Sequence, residues 1–424
     1  MMKPNLVISC PASSRSGYGN HSRDLIRSLI KMDKYNISIV DQRWGACPRT
    51  ELLKEEFSDI AAFVAKTPPV QSDIDIWIQI TVPNEFQPVG KYNIGITAGI
   101  ETDRVAPQWL EGMNRMDLTL VPSMHSVNGF SIMYDKMNQQ TNQKEGELKL
   151  EKPIHILMEG IDLDVYNKTD KIEPSIQKYF KDIKEDFCFL VCGHWMQGEF
   201  GHDRKDIGGT IQTFLATFKN LSQRNMPALI LKTGVNFSVI EQHDYETKIR
   251  KIMESIGSEK MPSVYLLSGD LTDSEMNSLY NHPKIKAMVS FTHGEGYGRP
   301  LAEFSVTGKP VIVSDWSGHK DFISANGFLI PGEVKPVHPS SVWKDVINSE
   351  SQWFFPNYGY ASGIMKDCHK NYKSYLEKSR KQTQYMKDKF SLEIMDEQFK
   401  NLLDENVPRF DVELPTLEEL QTYE

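Results

Sequence analysis

Cysteine is scarce in this chain and has no pattern. Among 424 residues there are five, Cys10, Cys47, Cys188, Cys192 and Cys368. The number is odd and no pair has the C-x-x-C spacing of a zinc or redox site. Cys10, Cys188 and Cys192 fall in strand-like runs, where a thiol packs as a small hydrophobe. A disulfide scaffold is excluded, and a reducing cytoplasm is expected. Long apolar runs are missing too: none reaches the ~18 residues of a membrane span. The opening "MMKPNLVISC" has one lysine and no extended apolar stretch, so it reads as a first buried strand and not as a signal peptide. Positive charge is in deficit. A net charge of −9 argues against a protein whose whole surface binds nucleic acid, though not against one local patch. No D-x-D cluster is read near a cleft loop, so no metal is expected.

What remains is an ordinary globular composition, 39% hydrophobic and 25% charged, on a chain long enough for two domains. Apolar runs alternate with helical patterns. In the first half they are "NLVISC", "NISIV", "IDIWIQI", "NIGITAG", "LTLVPS" and "IHILMEG". In the second they are "FCFLVCG", "ALILKTG", "SVYLLSG", "IKAMVS", "PVIVS" and "GFLI". Helical spacing puts Leu25, Ile26, Leu29 and Ile30 on one face, and Ile211, Phe214, Leu215 and Phe218 on another. Thr272 with Glu275 opens a helix as a capping box.

Such alternation predicts an α/β protein: two Rossmann-like domains, each with a parallel sheet covered on both faces, facing a cleft. The expected boundaries are 1–163 and 164–384, with about 385–424 crossing back onto the first domain. Residues 134–152 read as an exposed polar insertion and 364–406 as a long charged helical segment. The tail "RFDVELPTLEELQTYE" reads as acidic and loosely ordered.

The stretch "FTHGEGYGRPLAEFSVTGKPVIVS", 291–314, carries the most chemistry. It follows the strand "AMVS", and ligands of parallel sheets bind beyond the carboxyl ends of strands. Pro300 suits a first helical turn. Gly296 and Gly298 allow close backbone approach, and free amides at the helix start suit phosphate oxygens. Glu295 on the loop and Glu303 on the helix can accept paired hydrogen bonds from vicinal hydroxyls, as on ribose and a sugar ring. The string as a whole reads as a nucleotide-sugar site, with the nucleotide-sugar a co-substrate and no other cofactor.

That string resembles the Glu-x7-Glu signature of the retaining glycosyltransferases of family 4 (group 1), which have the GT-B fold. Other segments are similar in the same order: "SGYGNHSRDLIRSL" with Gly17 and Gly19, "GIETDRVAPQWLEGMNRMDLTLVPS", "MEGIDLDVY" and "DRKDIGGTIQTF". Together they cover roughly 4–405. The resemblance implies that Glu303 binds ribose and Glu295 the donor sugar. Amides near Gly298 and Leu301 would hold the diphosphate. Lys205, with Arg204 beside it, would offset charge on the departing diphosphate. It implies retention of the anomeric configuration; with the nucleotide-sugar site and the lack of a D-x-D cluster, the expectation is a metal-independent hexosyl- or pentosyltransferase using a UDP- or GDP-sugar. Two departures stand out. His194 occupies a position where the family often has arginine, leaving Lys205, Arg204 or Lys232 to compensate. Ile100-Glu101 stands where many members have a sugar-contacting histidine, for which His125 and His293 are the candidates.

Two other readings compete. One is a Rossmann oxidoreductase binding NAD, with "SGYGNHS" after a strand and Asp41 ending the next. It lacks the third glycine and leaves 291–314 unexplained. The other is a non-catalytic sugar- or nucleic-acid-binding protein on the same scaffold. The acceptor is left among glycans, lipids, proteins and, less favoured, DNA with a hydroxylated base. Lysines interleaved with Tyr372, Tyr375 and Tyr385 over 369–390 motivate the last.

Overall fold

The computed structural model describes residues 3–45, 47–137, 141, 143–234, 245–257, 259–323 and 325–410. Most of the acidic tail, from 411 on, lies outside them. Every apolar run named above forms a strand. The first domain begins with β1 (Asn5–Cys10), β2 (Asn36–Asp41), β3 (Ile76–Ile80), β4 (Tyr92–Ile96) and β5 (Leu118–Val121). The polar insertion forms an antiparallel hairpin, β6 (Tyr134–Met137) with β7 (Lys144–Leu148), and β8 (Ile154–Ile156) completes the domain. The sheet runs β2-β1-β3-β4-β5-β8, all parallel.

The second domain repeats the plan with β9 (Cys188–Cys192), β10 (Ala228–Thr233), β11 (Val264–Ser268), β12 (Ile285–Ser290), β13 (Val311–Ser314) and β14 (Phe328–Ile330). Its order is β11-β10-β9-β12-β13-β14, again parallel. Both sheets are buried on two faces, which is why their strands read as unbroken apolar runs. In each sheet the strand order reverses beside the first strand, at β1/β3 and at β9/β12. Loops leaving these strands diverge and open a crevice, and the two crevices face each other.

Helices cover the sheets where the spacing placed them. The helix Gly17–Met32 buries Leu25, Ile26 and Leu29. The helix Ile207–Phe218 buries Ile211, Phe214, Leu215 and Phe218. The helix Asp273–Asn281 has the expected Thr272/Glu275 capping box. After β14, a hairpin of β15 (Gly332–Pro336) and β16 (Gln352–Pro356) reaches the first domain. There the Gln352 N–H donates to Asp103 Oδ1 (2.6 Å), and Trp109 Nε1 donates to the Asp345 carbonyl (2.7 Å).

Three helices end the described chain: Tyr358–Lys370, Tyr372–Lys389 and Leu392–Asn406. The last packs on the helix Gly17–Met32 through Met395, Phe399 and Leu403, with a Lys31–Asp396 ion pair at 2.9 Å. The tyrosines of 369–390 pack against the protein. Tyr375 donates to Asp367 (2.9 Å), Tyr372 to the Lys286 carbonyl (2.9 Å), and Tyr385 lies against Phe390. Among the described residues no helix is long and apolar enough to cross a membrane.

Candidate active site

The facing crevices enclose a cleft of about 490 Å³. Residues at and beyond the carboxyl ends of β1 (Arg15, Gly17, Tyr18), β4 (Ala98, Glu101), β9 (His194), β10 (Thr233) and β12 (Glu295 to Pro300) line it.

The loop after β12 is built by backbone crowding. A Cβ on Gly294 would lie 1.8 Å from the Glu101 carbonyl oxygen, and one on Gly296 would lie 2.0 Å from that of Ala98. Glycine at 296 therefore serves contact between the two domains, whereas the sequence suggested approach to a ligand. Ser123 Oγ of the first domain also donates to the Gly296 carbonyl at 2.7 Å. Gly298 has φ 101° and caps the helix Arg299–Ser305. The Leu301 N–H donates to the Gly298 carbonyl (2.9 Å).

Glu295 is buried and faces two cations. Arg204 Nη1 donates to its Oε2 at 3.2 Å, and Lys205 Nζ donates to its Oε1. Burial works against ionisation, but Lys205 and Arg204 outweigh it and hold the carboxyl at about 2. Arg204 Nη1 also lies 3.5 Å from Glu101 Oε1. The basic turn is held by two buried aspartates. Asp206 sits at φ 46°, accepts the Gly209 N–H (3.1 Å) and accepts the Tyr358 hydroxyl (2.6 Å). Asp203 accepts the Ile207 N–H (3.2 Å). Between them the Arg204 and Lys205 side chains both reach Glu295 in the cleft.

Glu303 stands in a different field. Its Oε2 accepts the Tyr280 hydroxyl (3.0 Å) and its Oε1 accepts Arg299 Nε (3.1 Å). Here burial wins over Arg299, and the carboxyl is pushed up to about 7. The two glutamates thus share a cleft at opposite ends of the carboxylate range.

The other candidates divide. His194 lines the cleft, and burial beside Lys205 and Lys232 lowers it to about 4, so the ring is neutral. Lys232 lines it too, donating to the carbonyls of Gly269 (2.7 Å) and Thr233 (3.1 Å). Gly17 borders the cleft, whereas Gly19 is a packing glycine whose Cβ would lie 2.2 Å from the Ser14 carbonyl oxygen. His293 is fully buried, with its ring nitrogens 2.6 Å from the Phe354 carbonyl and 3.0 Å from that of Gly201. It ties loops together behind Glu295. His125 packs edge-on against Trp316. Neither histidine borders the cleft.

Several residues that sequence reasoning passed over meet there. Tyr280 and Arg299 hold Glu303, and Glu159 lies beside Arg299. Tyr18 stacks on Trp44 (4.0 Å between ring centres), its hydroxyl fixed by Thr97 Oγ1 and the Ala98 N–H. Only the aromatic within the glycine loop was a usable signal.

Asp41 accepts the Ser13 N–H (2.9 Å), Ser13 Oγ (2.6 Å) and Arg49 (2.6 Å). Its carboxylate is consumed by loop structure, which disfavours the NAD reading. The linker does carry a D-x-D, Asp162-Leu163-Asp164. Asp162 Oδ1 accepts the amides of Asp164 and Val165, capping a turn.

No protein-family model matches the chain, and no curated protein matches it in sequence. Solved structures do match in fold. A glycosyltransferase from Rickettsia africae is 12% identical over 97% of this chain and 100% of its own, with TM-score 0.63. Sucrose-phosphate synthase from Thermosynechococcus elongatus is 11% identical over 95% and 99%, with TM-score 0.60. Anabaena HepE, solved with UDP and glucose, is 14% identical over 95% and 99%, with TM-score 0.59. The chain therefore has the GT-B fold of two facing Rossmann-like domains.

Proposed function

We propose that the protein is a retaining glycosyltransferase that moves a hexosyl or pentosyl unit from a UDP- or GDP-sugar to a hydroxyl acceptor, without a metal. The observation that carries this reading is the pairing of Glu295 with Lys205 and Arg204, opposite Glu303, in one interdomain cleft. HepE, a fold neighbour, was solved with UDP-glucose, which supports a nucleotide-sugar in this cleft.

In the unliganded protein Lys205 and Arg204 neutralise Glu295. An arriving diphosphate carries the larger charge and draws both cations toward its oxygens. Glu295 is then free to accept hydrogen bonds from the sugar hydroxyls. The bond from the anomeric carbon to the phosphate oxygen breaks, with its electron pair leaving on the nucleoside diphosphate. Lys205 and Arg204 stabilise that charge where it develops. The acceptor oxygen bonds to the anomeric carbon on the face vacated, and its proton passes to the departing diphosphate.

The acceptor meets the wall of the first domain, where Tyr18 stacks on Trp44 and where Arg15, Glu51, Lys54 and Glu56 also line the cleft. An aromatic plate among charged hydrogen-bonding groups suits a hydroxyl-bearing ring. The lysines of 369–390 do not border this wall. Cys10, Cys188 and Cys368 are buried thiols, which suits work in the cytoplasm.

The reading is tested by incubating the protein with UDP- and GDP-sugars and recording nucleotide release with and without acceptor glycans in EDTA. Release of UDP or GDP with an axial-to-axial or equatorial-to-equatorial product by NMR is expected. Inversion refutes the stereochemistry, and no release from any donor refutes the function.

A further inference from the structure

Arg299 occupies an odd place for a cation. It opens a helix four residues before Glu303, and arginine N-terminal to glutamate is the weaker orientation of such a pair. Local helix energetics do not explain it. Its surroundings do, because three carboxylates from three parts of the chain converge on it. Nε donates to Glu303 Oε1 at 3.1 Å, and Nη1 donates to Asp24 Oδ2 at 2.7 Å. Glu159 Oε2 lies 3.8 Å from Nη1. All four side chains are at most 14% exposed. Asp24 belongs to the helix Gly17–Met32 of the first domain and Glu159 to the segment after β8, whereas Arg299 and Glu303 belong to the second domain. Tyr297, two residues earlier, donates its hydroxyl to the Glu159 carbonyl (2.6 Å).

The geometry points to Arg299 as a positioning residue that couples nucleotide capture to closure of the two domains. This rests on the reading of Glu303 as the nucleotide-binding carboxylate. With the domains closed, Asp24 anchors one arm of the planar guanidinium, and the other arm sets the rotamer of Glu303 and holds one of its oxygens. The second Glu303 oxygen is set by Tyr280, so the carboxylate is oriented before the nucleotide arrives. With the domains apart, Arg299 loses Asp24 and Glu159, and Glu303 loses its fixed partner. Each side of that equilibrium then reports on the other: closure raises nucleotide affinity, and nucleotide favours closure by the same factor. Asp24 is the informative member. It borders a neighbouring cleft with Arg23 and Asp162, and does not border the cleft holding Glu295 and Glu303. Its hydrogen bond toward Glu303 runs through Arg299.

The test is titration calorimetry of UDP and GDP into the full-length wild type, Asp24→Asn, Arg299→Lys and Arg299→Gln. Donor KM and kcat are measured alongside. Asp24→Asn is expected to weaken the nucleotide about fivefold or more, with donor KM rising in step and kcat changing little. Arg299→Gln should weaken it at least as much. Arg299→Lys should fall between, since an ammonium restores the charge but not the fork. Wild-type affinity in Asp24→Asn overturns the coupling whatever Arg299→Gln does. If Arg299→Gln fails to fold, Asp24→Asn decides alone. If the wild type binds neither nucleotide, the donor reading fails, and closure is read by small-angle scattering of unliganded protein. A larger radius of gyration in Asp24→Asn then upholds the latch, and superimposable profiles overturn it.

Discussion

At the scale of residues, the cleft separates two glutamates by their neighbours. Glu295 lies against Lys205 and Arg204 and remains ionised at every working pH; Glu303 titrates at about 7. If Lys205 offsets charge on the departing diphosphate as proposed, replacing it by alanine should slow turnover on the order of 10²-fold or more. Lys232→Ala should cost less, and equal turnover of Lys205→Ala and wild type would refute the role. Glu303→Gln should chiefly weaken free UDP or GDP, whereas Glu295→Gln should lower turnover and blur sugar choice with nucleotide affinity nearly intact. The reverse pattern in calorimetry exchanges the two roles.

The raised carboxyl also sets a pH dependence. Glu303 is faced by Arg299, Tyr280, Asp273 and Tyr166. In the proposed role, only its ionised form would accept from both ribose hydroxyls. Affinity for nucleotide should therefore be full above pH 7 and fall as pH drops through 7, by up to about tenfold per unit. Glu303→Gln cannot titrate at this position and should make the curve shallower, with Glu159 and the terminal phosphate of the nucleotide left to titrate; an equal slope in both proteins, measured from pH 5.5 to 8.5, would exclude Glu303 as its source.

At the scale of elements, the loop after β12 is shaped by contact with the opposite domain. Gly296→Ala places a methyl group 2.0 Å from the Ala98 carbonyl oxygen, a backbone atom that cannot rotate away. The domains must then shift apart, and activity should fall about tenfold or more, since a shift near 1 Å at a reacting centre can cost 10²-fold. Gly146→Ala, with open space around its Cβ position, is the matched control. Equal activity in the two variants would show that the close approach has no functional weight. The elements themselves were largely legible: parallel strands buried on both faces leave long apolar runs, and Thr272 and Glu275 mark a helix start. The β15/β16 hairpin was not, because Gly332–Pro336 is exposed and carries no alternating pattern.

At the scale of the molecule, a donor held between domains should stabilise both together. At about one hundred times its Kd, a nucleotide adds about 2.7 kcal/mol to the folded state. Thermal melts with UDP and with GDP should show one transition moving upward for the cognate nucleotide. A shift confined to one of two transitions would place the nucleotide in a single domain and leave the cleft unbridged.

The basic turn at Arg204 and Lys205 was marked by the resemblance alone, whereas periodicity and local chemistry by themselves determined the two parallel-sheet domains, the loop carrying Glu295 and the helix carrying Glu303. These are short-range properties, written in neighbouring residues. Only the tertiary structure decided which groups face those residues. Asp24 and Arg299 are 275 positions apart, and nothing in the pattern around either one announces the other. His293 and His125, adjacent in sequence to functional segments, turned away from the cleft because packing against Trp353 and Trp316 claimed their rings. Side-chain direction in a loop is set by what the fold brings against it, and that is a property of distant parts of the chain.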